Sequence, residues 1–226
     1  MSVERQLTLR IGLRDSATFA NFLPGDNAAP LHLLQQRTEP FVYLWGGIGS
    51  GRSHLLQAAC HAETAHGGSP AYLPLAGLTQ TGVELLEGLE QMSLVCLDDL
   101  QAVVGDKDWE ESLFHLYNRV RDAGGRLLAV ADASPSALGI HLPDLRSRLS
   151  WGPVFQLQSL DDAGKLAALQ LRAQARGMEL GEEVGAYLLR RCPRDMRALF
   201  ELLERLDQAS LEAQRRLTIP FVRELI

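Results

Sequence analysis

The sequence predicts an α/β protein with a parallel sheet, followed by a small all-helical domain. Three observations carry this expectation. Short apolar runs at Phe41–Trp45, Ala71–Leu73, Ser93–Asp99, Arg126–Asp132 and Pro153–Leu157 are separated by helical patterns, as in βαβ units. A glycine-rich loop follows the first run and opens a helix. Beyond residue 157 the pattern is helical only, at about 161–176, 182–191, 194–209 and 218–225. The expected divisions are an N-terminal segment at 1–15, a nucleotide-binding α/β domain at 16–158 and a helical lid at 159–226.

Composition narrows the class. With 226 residues and 46% hydrophobic content, the chain is long enough for one ordinary core and a smaller appended one. A formal net charge of -6 disfavours a broad surface for a nucleic-acid backbone, so strong direct DNA binding is not expected. Cys60, Cys96 and Cys192 have no paired spacing, and the six histidines form no ligand pattern. No apolar run nears the roughly 18 residues that span a bilayer, and the N-terminus lacks a signal-peptide core, so a cytoplasmic protein without membrane contact is expected.

Taken in order, Gln6–Ile11 alternates in polarity and reads either as a short edge strand or as an extended peptide, with Gln6, Leu7, Thr8 and Leu9 filling pockets on a partner. The aromatic, turn-rich stretch from Ser16 to Gly25 supplies Phe19 and Phe22 for a core that could also line a base pocket. A short helix follows over Ala29–Arg37, and Phe41–Trp45 reads as a buried parallel strand.

The loop after it is the most informative stretch. Gly46, Gly47, Ile48, Gly49, Ser50, Gly51, Arg52 and Ser53 fit the phosphate-loop (Walker A) pattern except that Arg52 replaces lysine. Main-chain amides turned inward, together with the N-terminus of the helix that carries Arg52, Ser53 and His54, suit the oxygens of a di- or triphosphate. The Ser53 hydroxyl suits a bound Mg2+. Arginine keeps the charge but trades a compact ammonium for a planar fork, so binding should survive better than catalysis.

A second strand ends in Asp98 and Asp99. Such a carboxylate pair either is an acidic turn or serves the metal, Asp98 through its water shell and Asp99 by orienting an attacking water. Asp108–Ala123 shows helical spacing, with Trp109, Leu113, Leu116, Tyr117 and Val120 on one face. Asp132 stands at the tip of the next strand, where it either is a polar strand end or senses a terminal phosphate. Leu142–Leu149 reads as a short helix starting at proline, whose Arg146 and Arg148 point in different directions. One can pair locally while the other projects toward a neighbour. Trp45, Trp109 and Trp151 are expected to pack rather than stack on a ligand. In the lid, Asp161 and Thr218 are expected N-caps, and Arg194 and Arg197 share a helix start from which either could reach the nucleotide.

Together these motifs resemble the AAA+ ATPases, in the branch of the bacterial initiator DnaA. The resemblance covers nearly the whole chain. It rests on Thr18-Phe19-Ala20-Asn21-Phe22, the loop at Gly46 to Ser53, Leu97-Asp98-Asp99-Leu100-Gln101, Pro143 to Leu149, and Arg194-Asp195-Met196-Arg197. Three features resemble the DnaA-related regulators that act with the DNA-loaded sliding clamp. They are an end after the lid without a helix-turn-helix domain, Arg52 in the loop, and a clamp-peptide-like Gln6–Leu9. Arg10, where many clamp peptides are apolar, departs from the pattern.

The resemblance implies bound ADP, with ATP admissible, and Mg2+ at Ser53 and Asp98. It implies Asp132 as first sensor, Arg194 as lid sensor and Arg148 as an arginine finger acting in trans, with Arg197 and Arg146 as alternates. The implied partners are DnaA and the β sliding clamp of DNA polymerase III, with self-association left open. The implied function is negative regulation of replication initiation by stimulating hydrolysis of DnaA-bound ATP, without turnover by the chain alone. Two other readings remain: a self-sufficient AAA+ ATPase such as a helicase loader, or a clamp adaptor with a vestigial nucleotide site.

Overall fold

Five parallel strands form one sheet in the spatial order Pro70–Pro74, Leu94–Asp98, Arg126–Ala131, Phe41–Trp45 and Val154–Gln156. The structure, a computed structural model, describes residues 17–193 and 195–226. The strands are β1 at Phe41–Trp45, β2 at Pro70–Pro74, β3 at Leu94–Asp98, β4 at Arg126–Ala131 and β5 at Val154–Gln156. Helices α1 (Ala28–Gln36), α2 (Arg52–Ala65), α3 (Lys107–Asp122) and α4 (Pro143–Leu149) cover the sheet.

Because successive side chains alternate across a strand, each central strand feeds two cores. Tyr43, Val95, Leu97, Leu127 and Ala129 face one core with Trp109, Leu113, Leu116 and Leu145 of α3 and α4. Val42, Leu44, Leu94, Cys96, Leu128 and Val130 face the other, with Leu34 of α1 and Leu55, Leu56 and Cys60 of α2. This explains the near-continuous apolar runs, since strands buried on both faces have no polar side.

The lid comprises α5 (Asp162–Ala175), α6 (Glu182–Arg191), α7 (Met196–Ala213) and α8 (Ile219–Arg223) around its own core of Leu169, Leu188, Leu199, Leu203, Leu206 and Val222. Leu23 and Leu160 pack against that core and tie it to the α/β layers. The expected caps form: Asp161 accepts from Gly164 N–H at 2.7 Å, and the Thr218 hydroxyl accepts from Phe221 N–H. The third lid helix differs from the expected 194–209. Asp195 caps it by accepting from Ala198 N–H at 3.0 Å, and it continues to Ala213 before Gln214 turns left-handed at φ 51°. Its strong apolar face through Leu206 carries a polar last turn that periodicity alone truncated.

Candidate nucleotide site

The loop after β1 is anchored at both ends. Gly46 N–H donates to Ala131 O of β4 at 3.3 Å, and a Cβ at Gly46 would lie 2.6 Å from Leu157 O, so the close strand approach excludes a side chain. At the other end Gly51 adopts φ +93°, and a Cβ there would stand 2.6 Å from the Phe22 ring. α2 begins at the next residue, which aims its unpaired N-terminal amides at the loop.

This loop, the 17–27 segment and the lid enclose a cavity of about 510 Å³, a size ordinary for small-molecule sites. Ile48 to His54, Asp98 and Asp99 line one side, Ala17, Phe22 and Leu23 another, and Arg172, Asp195, Met196, Arg197 and Phe200 of the lid close it. Ser50 Oγ, Arg52 Nη1 and Asp195 Oδ1 are buried there and have no hydrogen-bond partner among the described residues. Such groups are costly to leave unmade, at about 1–3 kcal/mol each. A nucleotide fits this set: loop amides, Ser50 and Arg52 suit phosphate oxygens, and the Phe22 wall suits a base. For Mg2+, Ser53 and Asp98 supply oxygen donors, and water and phosphate would complete a set of the kind this ion prefers. Among the described residues there is no group of three or more His, Cys, Asp or Glu that could hold a metal alone.

The two carboxylates end in different surroundings. Asp98 is 2% exposed: Oδ2 accepts from the Tyr72 hydroxyl at 2.6 Å, Oδ1 from Asp99 N–H at 3.0 Å, and the Ser53 hydroxyl also bonds to it. Burial pushes its pKa above the usual carboxylate range despite the bonds from Tyr72 and Ser53 and the Arg52 charge. Burial and the Asp98 charge likewise push the Tyr72 phenol up, so it remains a donor. Asp99 occupies the left-handed region at φ 57°, its Oδ1 held by Gln101 Nε2 at 2.8 Å. The same Oδ1 lies 4.0 Å from Arg52 Nη2. The arginine thus spans from the phosphate loop toward the carboxylate expected to orient water.

His54 sits behind the loop. Its Nε2–H donates to Thr18 O at 2.8 Å, and its ring meets Phe22 edge-on at 5.4 Å. Burial depresses its pKa, with a smaller push in the same direction from Arg172.

Of the remaining residues singled out in the sequence, Asp132 is exposed at the tip of β4, its N–H donating to Gln101 Oε1 at 3.2 Å, and it does not line the cavity. Arg197 lines the cavity, largely exposed and paired with Glu201 at 3.0 Å. Arg194 and Gln6, Leu7, Thr8 and Leu9 lie outside the described residues. Arg146 is exposed, whereas Arg148 is half-buried away from the cavity, its guanidinium 5.0 Å from the Trp151 ring and 6.0 Å from Phe114. Trp151 corrects the packing expectation: it is 63% exposed, because it lies past the end of α4 at the sheet edge.

Sequence reading missed Tyr72, Gln57 and Arg172. Arg172 shares the buried face of α5 with Ala168, Leu169 and Ala173, bonds Glu204 at 3.2 Å and stands 4.7 Å over Phe200. A charge at that helical spacing on an apolar stripe was the available signal. Tyr72 and Gln57 gave none, since their meeting depends on how α2 packs on β2, and that of Tyr72 with Asp98 on how β2 registers with β3.

Fold and site together define a AAA+ P-loop nucleotide-binding protein with a helical lid. Residues 78–156 match the model of the bacterial DnaA ATPase domain, and residues 162–226 match that of the Hda lid domain. On these matches the chain belongs to the DnaA-related AAA+ proteins of the Hda type, a regulatory branch of that family. Domain III of the Thermotoga maritima replication initiation protein DnaA is 21% identical, with a TM-score of 0.78 over 94% of this chain and 96% of that one. AMPPCP-bound DnaA from Aquifex aeolicus is 22% identical, at 0.73 over 89% and 68%. The Thermotoga maritima RuvB Holliday junction branch migration motor is 15% identical, at 0.64 over 89% and 66%. These likenesses establish the fold. No helix among the described residues is long and apolar enough to cross a membrane.

Proposed function

We propose that this protein restrains replication initiation by making DnaA hydrolyse its ATP. It binds ADP with Mg2+ through Gly46 to Ser53, docks on the DNA-loaded β sliding clamp through Gln6 to Leu9, and presents Arg148 to ATP held by DnaA. Arg194 of the lid reads the state of the chain's own nucleotide. The observation that carries this reading is the separation of Arg148 from the chain's own cavity. The loop arginine instead lies beside Asp99, which leaves the local site poorly arranged to turn over alone.

An arginine supplied in trans is worth about 10³–10⁵ in rate in other NTPases, enough to convert a slow timer into a regulated switch. The test is reconstitution of DnaA, ATP and clamp on DNA, with phosphate release followed as the protein is added. Arg148→Ala should abolish stimulation while leaving clamp binding intact. Full stimulation by that variant would end the proposal, and brisk hydrolysis by the isolated chain would favour a self-sufficient ATPase.

A further inference from the structure

Arg148 is not simply an exposed cation at the end of α4. Its guanidinium lies over the Trp151 ring at 5.0 Å, and its Nε is buried without a hydrogen-bond partner among the described residues. Facing it from α3 is Tyr117, 2% exposed, whose hydroxyl is also buried and unpartnered among the described residues. Both side chains line one small cavity of about 10 Å³, together with Phe41, Leu149 and Gly152. The Tyr117 ring is fixed by stacking on Phe41, at 4.1 Å between centroids and 22° between planes. The phenol is therefore aimed by packing and cannot swing out to solvent.

Two buried polar atoms without partners on one cavity are a mutual complement. An Nε–H can only donate, whereas a phenol can donate or accept. A space of roughly 10–15 Å³ with at least two polar neighbours is what a single water needs. We propose that one buried water accepts from Arg148 Nε–H and bonds the Tyr117 hydroxyl, which makes Tyr117 a positioning residue for Arg148. Stacking on Trp151 sets the plane of the guanidinium, and the bridge fixes its rotation within that plane. The terminal Nη atoms are then left to engage an anionic oxygen, with the rotational freedom of a long side chain already removed. The inference deepens the reading of Arg148 as the group offered to a partner's ATP, and rests on it.

The test compares wild type, Tyr117→Phe and Arg148→Ala for single-turnover hydrolysis of DnaA-bound ATP with DNA-loaded clamp, over a range of protein concentration. Tyr117→Phe keeps the ring and its stacking but removes the hydroxyl. It should lower the saturating rate about tenfold with the half-saturating concentration and melting temperature unchanged. Arg148→Ala should abolish stimulation. Full activity of Arg148→Ala overturns the reading of the finger itself. Loss in Arg148→Ala with full activity in Tyr117→Phe overturns only the role of Tyr117, as does a Tyr117→Phe defect confined to half-saturation or accompanied by lost folding. A high-resolution crystal structure of the unaltered chain supplies the second measurement. A water within hydrogen-bond distance of both atoms is expected, and its absence there overturns the bridge.

Discussion

The hydroxyl of Tyr72 donates to Asp98 Oδ2 at 2.6 Å while accepting from Gln57 Nε2 at 3.1 Å. β2 therefore contributes a positioning group to the carboxylate that ends β3. The bond stabilises the ionised form of a carboxyl group that burial drives toward neutrality. Tyr72→Phe should raise the Asp98 pKa further and weaken its hold on a hydrated Mg2+. Hydrogen bonds to charged groups are worth about 1.5–3 kcal/mol, so the Mg2+-dependent gain in ADP affinity should fall roughly tenfold or more. Calorimetry of ADP binding with Mg2+ and with chelator measures that gain directly. An unchanged ratio between the two would remove Tyr72 from the site.

Arg52 and Asp99 compete in a different way. At 4.0 Å, with the carboxylate side chain 32% exposed, their attraction is modest and partly screened, yet it competes with phosphate for one end of the guanidinium. Asp99→Asn removes that pull without removing the side chain. ADP affinity should rise by roughly two- to fivefold, in keeping with the worth of a partly exposed pair. Arg52→Ala should instead weaken binding by more than tenfold, since it removes a charge-assisted contact to phosphate. Weaker ADP binding by Asp99→Asn would show that the carboxylate supports the arginine rather than diverting it.

Which parts were legible follows from the range over which each residue acts. The strands, the phosphate loop and the lid were readable because apolar runs, glycine spacing and caps are local patterns. Tyr72 was not: its partner lies 26 positions away, and only the pairing of Tyr72 with Cys96 brings it beside Asp98. Glu110 similarly reads as an ordinary polar position in α3, yet is 1% exposed and meets residues 31 and 32 positions on. Trp151 misled through its type, because a tryptophan is usually covered, whereas here its face meets Arg148 at the surface. Long-range polar pairing leaves no periodic trace.

The half-buried imidazole of His54 makes stability pH-dependent. Its folded pKa is depressed below the ordinary value of about 6.5, so the unfolded chain binds a proton that the folded chain resists. His54 therefore contributes no pH-dependent penalty well above about 6.5, and stability falls as pH drops through that value toward the folded pKa. Wild type should lose melting temperature between about pH 7.5 and 5.5, and His54→Gln should lose less. Equal losses in the two proteins would assign the slope to other groups.

Glu110 holds the entry to α4. Its Oε1 accepts from Gly105 N–H at 2.9 Å and His141 N–H at 3.1 Å, and its Oε2 accepts from Leu142 N–H at 2.7 Å. Burial favours its neutral form, but the three amides outweigh it and hold the pKa below the usual range. Since Leu142 caps the helix that carries Arg148, the carboxylate fixes the base of the finger. Glu110→Gln keeps the shape but turns an amide N–H toward at least one backbone donor. It should cost about 2–3 kcal/mol, or roughly 5–10 °C in melting temperature for a chain of this size. The same variant should also lower stimulation of ATP hydrolysis at temperatures where it remains folded, because α4 loses its anchor. Wild-type melting and wild-type stimulation together would show that the three amides find other acceptors.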